Sequence, residues 1–206
     1  MPNIKMEIKI GFDDTVFGNP DYDPAKCFIS SRSAVIGKVI IEDCVIIAPG
    51  AAIRADEGAP FKIGKCTNIQ DEVIIHGLLD KYVTEKGKKY SVYIGPYCSI
   101  AHGAVIHGPT KIGEKTFVGF RTIIHNSTIG KDCFIAHGAI VDSVKIANNR
   151  YVKDGMVVDS QEIADALPKV PHAKAEFNQE VVEYNNKLCK LYRKRRIAKQ
   201  KGIVKK

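Results

Sequence analysis

Apolar residues recur along this chain with a period of six. Aliphatic side chains stand at Ile29, Val35, Ile41, Ile47 and Ile53, at Ile63, Ile69 and Ile75, and at Ile94, Ile100, Ile106, Ile112, Val118 and Ile124. The series resumes at Ile129, Ile135 and Val141 and closes at Ile146 and Val152. Four residues after most of these comes a small or β-branched residue, among them Val45, Ala51, Thr67, Cys98, Ala104, Thr116 and Ala139. A spacing of six matches neither 3.6 nor 3.5 periodicity, so an amphipathic helix is a poor rival. It fits one short strand plus a corner, and three such hexapeptides close a triangular turn of about 18 residues. The expected fold is an all-β solenoid, a parallel β-helix. Its aliphatic residues point inward, the small ones pack at the corners, and Gly37, Gly64, Gly95, Gly113 and Gly130 relieve crowding where the chain turns.

Two insertions interrupt the ladder, four extra residues between Asp56 and Lys62 and thirteen between Gly77 and Tyr93. Loops that leave a rigid solenoid are where function concentrates. After Val152 the pattern becomes helical. Ser160 reads as the N-cap of a short helix ending near Pro168, and a longer helix begins near Ala173. On the long helix Phe177, Val181, Tyr184, Leu188 and Leu191 form a stripe expected to lie against a β-helix face. The expected division is a β-helix domain over 1–155 with an N-terminal lead-in, a helical segment over 156–192 packed on it, and a basic tail over 193–206.

Charge sharpens this division. The net charge of +8 sits in the tail, where residues 189–206 carry nine Lys or Arg and no acid, leaving 22 basic residues against 23 acidic ones in the body. The tail reads as a solvated helix end, and no nucleic-acid partner is indicated. No long apolar block suggests a signal peptide or a membrane span, so a cytoplasmic location is expected. The six cysteines form no CxxC pair and read as reduced and structural.

The repeat also places the histidines. Ile53, Ile75 and Ile106 fall in one inward column, so the residues after them, Arg54, His76 and His107, form an outward column with neighbours about 4.8 Å apart. His76 and His107 are then close enough to share a metal ion. His102 follows Ile100 by two and belongs to the preceding face of the same turn, so it cannot easily reach that ion. A second copy whose His102 meets the first copy's His76 and His107 completes three ligands, and a ring of three copies closes such contacts. His125 and His137 continue the two columns and read as surface or interface histidines.

At these residues the chain resembles a known family. The segments AIRADEGAPFKIG, TNIQDEVIIHGL, YIGPYCSIAHGAVIHGP and MVVDSQEIADALP resemble gamma-class carbonic anhydrases over nearly all of residues 28–190. They are also similar to the N-terminal domain of the carboxysome scaffold proteins of that class, without the small-subunit-like repeats of those proteins. The resemblance implies a left-handed β-helix and a homotrimer with metal at the subunit interfaces. It implies Zn²⁺, for which Fe²⁺ or Co²⁺ can substitute because imidazole ligands do not select zinc alone. By the same resemblance His76, His102 and His107 are the metal ligands, and Gln70 and Asp71 are a polar pair beside the metal-bound water. Arg54 and Asp56 make a subunit-bridging ion pair, Glu57 passes protons outward, and Asn185 orients substrate.

The implied reaction is reversible hydration of carbon dioxide to bicarbonate by metal-bound hydroxide. One departure stands out: a glutamate that relays protons in an archaeal form of the family is Leu79 here. Two rival readings share the fold, a hexapeptide-repeat acyltransferase using acyl-coenzyme A and a non-catalytic trimeric metal-binding or assembly module.

Overall fold

A computed structural model describes residues 18–200. The lead-in before residue 18 and the end of the tail after residue 200 lie outside the described residues. The hexapeptides form a left-handed parallel β-helix of about seven turns with three faces. The first face is a six-stranded sheet that includes Phe61–Ile63, Val92–Ile94 and Thr110–Ile112. The second is seven-stranded and includes Asn68–Ile69, Ser99–Ile100 and Phe117–Val118. The third, also seven-stranded, includes Ala52–Ala55, Ile74–His76, Val105–His107, Ile123–His125 and Ile140–Asp142.

Every pairing between turns is parallel and in register, with Ile63, Ile94 and Ile112 stacked on the first face. Ile69, Ile100 and Val118 stack on the second face, and Ile75, Ile106 and Ile124 on the third. These nine residues are almost wholly excluded from solvent and make the core. The small residues close the corners as the pattern requires. Thr67 Oγ1 donates to the Gly95 carbonyl and Thr122 Oγ1 to the Ala136 carbonyl, which answers polar backbone that the corner would otherwise bury. The glycine column at Gly113 is set by close approach, because a Cβ there would lie 2.5 Å from the backbone of Gly130 one turn on. The left-handed backbone of that corner falls instead on Cys66, Tyr97, Lys115 and Asp132.

The third face ends with Val157–Val158, beyond the expected boundary at 155. Helix α1 spans Gln161–Asp165, and Ser160 caps it by accepting from the Ile163 amide. Helix α2 spans His172–Gln200 and lies on the second face. The basic segment through 200 therefore continues this helix, and Arg193 and Arg196 donate to the carbonyls of Lys26 and Pro24.

The expected apolar stripe is corrected by one helical position. Among the described side chains of α2, Asn178, Val182 and Cys189 are buried, whereas Phe177, Tyr184 and Leu191 are 41%, 63% and 56% exposed. The helix rests on polar corner backbone, where Asn178 Nδ2 donates to the Lys115 carbonyl and Cys189 Sγ to the Val45 carbonyl. Short side chains permit that approach and bulky ones do not. Phe177 keeps an edge contact with Phe117, so the displaced stripe borders the second face. All six cysteines are free. Among the described residues no helix is long and apolar enough to cross a membrane.

Because Ile112 is fully buried in a continuous inward column, Ile112→Ala should destabilise the fold by about 2 to 5 kcal/mol. Lys111→Ala, on the outward side of the same strand, should cost under about 1 kcal/mol. Urea denaturation midpoints of the two variants measure the contrast.

Candidate metal centre

Residues adjacent to the inward column of the third face point outward, and the strand register brings Arg54, His76, His107, His125 and Asp142 into one line. His76 Nδ1 faces His107 Nε2 at 3.3 Å. The other nitrogen of each ring is committed: His76 Nε2 lies 3.1 Å from Asp56 Oδ1, and His107 Nδ1 lies 3.1 Å from the Gly108 carbonyl. A carboxylate and a carbonyl can only accept, so they hold the protons on His76 Nε2 and His107 Nδ1. In the neutral rings the facing nitrogens then both present lone pairs.

Two lone pairs in that position repel each other, and a cation between them removes the conflict. Ligand atoms about 2.0 to 2.1 Å from a tetrahedral zinc ion stand roughly 3.3 to 3.4 Å apart, so the observed separation fits such an ion. Asp56 is itself anchored by Arg54 of the same chain, whose Nε donates to its Oδ2 at 2.9 Å, so the ion pair expected to bridge two copies is made here within one. Burial would raise the Asp56 pKa, but the Arg54 guanidinium and the neighbouring backbone outweigh it and hold the carboxylate below its ordinary range. Glu57 Oε2 lies 3.8 Å from His76 Nε2 and is half exposed.

The remaining candidates occupy the second face. His102 Nδ1 stands 3.0 Å from Asp71 Oδ2, which favours the proton on Nδ1 and leaves Nε2 as the free lone pair. Gln70 Nε2 donates to Asn68 Oδ1, and Asn68 Nδ2 donates in turn to Ser99 Oγ. This relay fixes the Gln70 amide with Oε1 buried and without a partner. An unanswered buried acceptor costs about 1 to 3 kcal/mol, so a ligand that donates there is favoured. Gln70, His102, Phe120, Phe177, Tyr184 and Asn185 line one cleft of about 450 Å³. Asn185 Nδ2 donates one of its two N–H groups to the Val181 carbonyl and keeps the second free to donate.

One chain thus holds two candidate half-sites. Arg54, Asp56, Glu57, His76 and His107 gather on the third face, and Gln70, Asp71, His102 and Asn185 on the second. Among the described residues of a single chain no three His, Cys, Asp or Glu side chains converge as a metal site. Leu79 is exposed at the rim of the inserted loop. In that loop Glu85 is tied to Lys111 at 2.6 Å, and Asp80 accepts from the Tyr82 hydroxyl. Sequence reasoning missed Asp142, which accepts from His125 Nδ1 at 2.7 Å. The signal was available, since Asp142 follows the inward Val141 as His107 follows Ile106.

No family model matches the chain. The carboxysome assembly protein CcmM of a Nostoc species is 42% identical over 162 residues, which are 78% of this chain and 29% of that protein. The chain thus spans under a third of that relative. The carbonic anhydrase of Methanosarcina thermophila is 37% identical over 186 residues, covering 84% of this chain and 75% of that enzyme. Among solved structures, a hexapeptide transferase family protein of Anaplasma phagocytophilum superposes with a TM-score of 0.67 at 20% identity. That match covers 84% of this chain and 92% of the other, and shares the fold alone. With a relative of this similarity matched over most of its length, and with the two histidine-bearing faces in place, the chain belongs to the gamma carbonic anhydrase family.

Proposed function

We propose that the protein hydrates carbon dioxide reversibly to bicarbonate at a metal ion held by His76 and His107 of one copy and His102 of a neighbouring copy. The observation that carries this reading is the convergence of His76 Nδ1 and His107 Nε2, each with its opposite nitrogen tied to an acceptor. A divalent ion bound there, Zn²⁺ or in its place Fe²⁺ or Co²⁺, would lower the pKa of a coordinated water into the neutral range and supply a nucleophile at neutral pH.

The chain's own residues do the rest. Gln70 Oε1 accepts a hydrogen bond from a donor in the cleft and so fixes that donor's orientation, while the spare Asn185 N–H meets an oxygen of the substrate. Asp56, held ionised by Arg54, keeps His76 in the ligating tautomer. Glu57 places a carboxylate at the rim, where a proton can pass to buffer.

Two surfaces support a ring of three copies. Beside the histidines an outward aliphatic column runs along the third face, with Ile74 46%, Ile123 40%, Ile140 37% and Val157 47% exposed. Beside His102 stand Phe120 and Tyr184, 43% and 63% exposed. Apposing the third face of one triangular prism with the second face of the next covers both surfaces, and three such contacts close.

Purified protein loaded with Zn²⁺ should hold one ion per chain and hydrate carbon dioxide. His102→Ala and His107→Ala should each abolish both properties, and reassembling the two variants together should restore part of the metal content. Zinc-replete protein with no hydration activity would refute the enzymatic reading, and mixed assemblies that recover no metal would refute the shared site.

Asp56→Asn replaces an acceptor that orders the His76 tautomer and should weaken zinc affinity about tenfold to a hundredfold. Competition with a chromogenic chelator reads this directly. Proton export should limit turnover at low buffer, because Leu79 offers no carboxylate and Glu85 is occupied. Raising buffer at constant ionic strength should then raise kcat with little change in kcat/KM, and Leu79→Glu should reduce that dependence. A kcat already independent of buffer would show that another group carries the proton.

A further inference from the structure

The two half-sites recur. A step of two turns, about 9.6 Å at the strand spacing of a sheet, carries His76 to His125 and His107 to Asp142 on the third face. On the second face it carries His102 to His137, because Ile100, Val118 and Ile135 are in register and each histidine follows its inward residue by two. Side-by-side β-helices advance at the same rate, so a contact made at one turn is offered again two turns on. Whatever brings His102 of one copy to the His76/His107 pair of its neighbour also brings His137 to the His125/Asp142 pair.

The second set is wired differently. His125 Nδ1 and Ser143 Oγ both donate to Asp142 Oδ1, at 2.7 and 2.9 Å, while no donor among the described residues reaches Oδ2. On the opposite face the Phe120 amide donates to His137 Nδ1 at 3.0 Å. In the neutral ring the His137 proton is therefore on Nε2, the reverse of His102, which has a carboxylate beside its Nδ1. His137 is held in this state by stacking on Phe120, with ring centroids 4.3 Å apart, and by Asp154, which accepts from its backbone amide. A metal ion at this level would meet an N–H where it needs a lone pair. A carboxylate oxygen would meet the donor it lacks.

Resting on the trimeric reading above, we propose that His125, Asp142 and His137 of the neighbouring copy form a metal-free clasp in which His137 Nε2–H donates to Asp142 across the subunit interface. The clasp repeats the geometry of the metal centre and closes it with a proton instead of a cation. It ties neighbouring copies together independently of the metal.

The test uses metal-stripped full-length protein and sedimentation velocity over a concentration series. Wild-type apoprotein should remain trimeric, and Asp142→Asn or His137→Asn should raise the concentration at which it dissociates by about tenfold or more, the effect of losing a hydrogen bond to a charged group. His137→Asn keeps a short acceptor for the Phe120 amide but loses reach, whereas His137→Gln retains an outer N–H and should restore part of the affinity. The double variant should be no weaker than the worse single one.

If the single variants dissociate no more readily than wild type, or if their effects multiply, the clasp is wrong while the trimer stands. A wild-type chain that is monomeric with and without zinc overturns the trimeric reading and the clasp with it. Native mass spectra showing two zinc ions per chain, one of them lost in Asp142→Asn, would overturn the proton-closed arrangement in favour of a second metal site.

Discussion

A parallel β-helix advances by one strand spacing per turn, and that single constraint places the histidines of the two half-sites. Residues six apart in sequence occupy equivalent places on successive faces, and equivalent places on successive turns stack in register. The inward isoleucine columns enforce the register, because slipping a strand by one residue would expose its aliphatic side chain and bury its neighbour. His76 and His107 are separated by an inserted hairpin, Val83–Glu85 with Lys88–Tyr90, and still meet ring to ring. The insertion leaves the solenoid and returns to it without disturbing the stack.

Register brings imidazoles together, but proton positions decide what they can do. The same outward column contains a pair whose facing nitrogens both carry lone pairs and, one turn further, a histidine that donates to a carboxylate. The difference lies in the neighbours. Asp56 and the Gly108 carbonyl draw protons away from the His76–His107 gap. Asp142, whose carboxyl the bonds from His125 and Ser143 hold below its usual range, draws a proton into the gap between His125 and itself. One scaffold spacing thus supports a site suited to a cation and another suited to a hydrogen bond.

Much of this arrangement is legible in the sequence, because hexapeptide spacing fixes inward and outward positions on its own. The columns of Ile75 and Ile106, the outward pairing of His76 and His107, and the separation of His102 onto another face all follow from counting. Counting fails for the C-terminal helix. The 4, 3, 4, 3 stripe from Phe177 to Leu191 identifies the most apolar face, yet the helix rests on corner backbone and turns Asn178, Val182 and Cys189 inward. Hydrophobicity does not register the demand for close approach. Tautomers are equally hidden, since they depend on the Asp56 carboxylate, the Gly108 carbonyl and the Phe120 amide reaching particular ring nitrogens. Gln70 could be placed by resemblance, whereas its orphaned Oε1 emerges only from the Asn68 relay.

The most direct test of the central claim is a zinc-edge anomalous difference map from crystals of the zinc-loaded protein. One peak per chain should lie between His76 Nδ1 and His107 Nε2, with His102 Nε2 of a neighbouring copy as the third protein ligand. A peak elsewhere, or a fully occupied zinc at His76 and His107 whose remaining ligands exclude His102 of every copy, would contradict it.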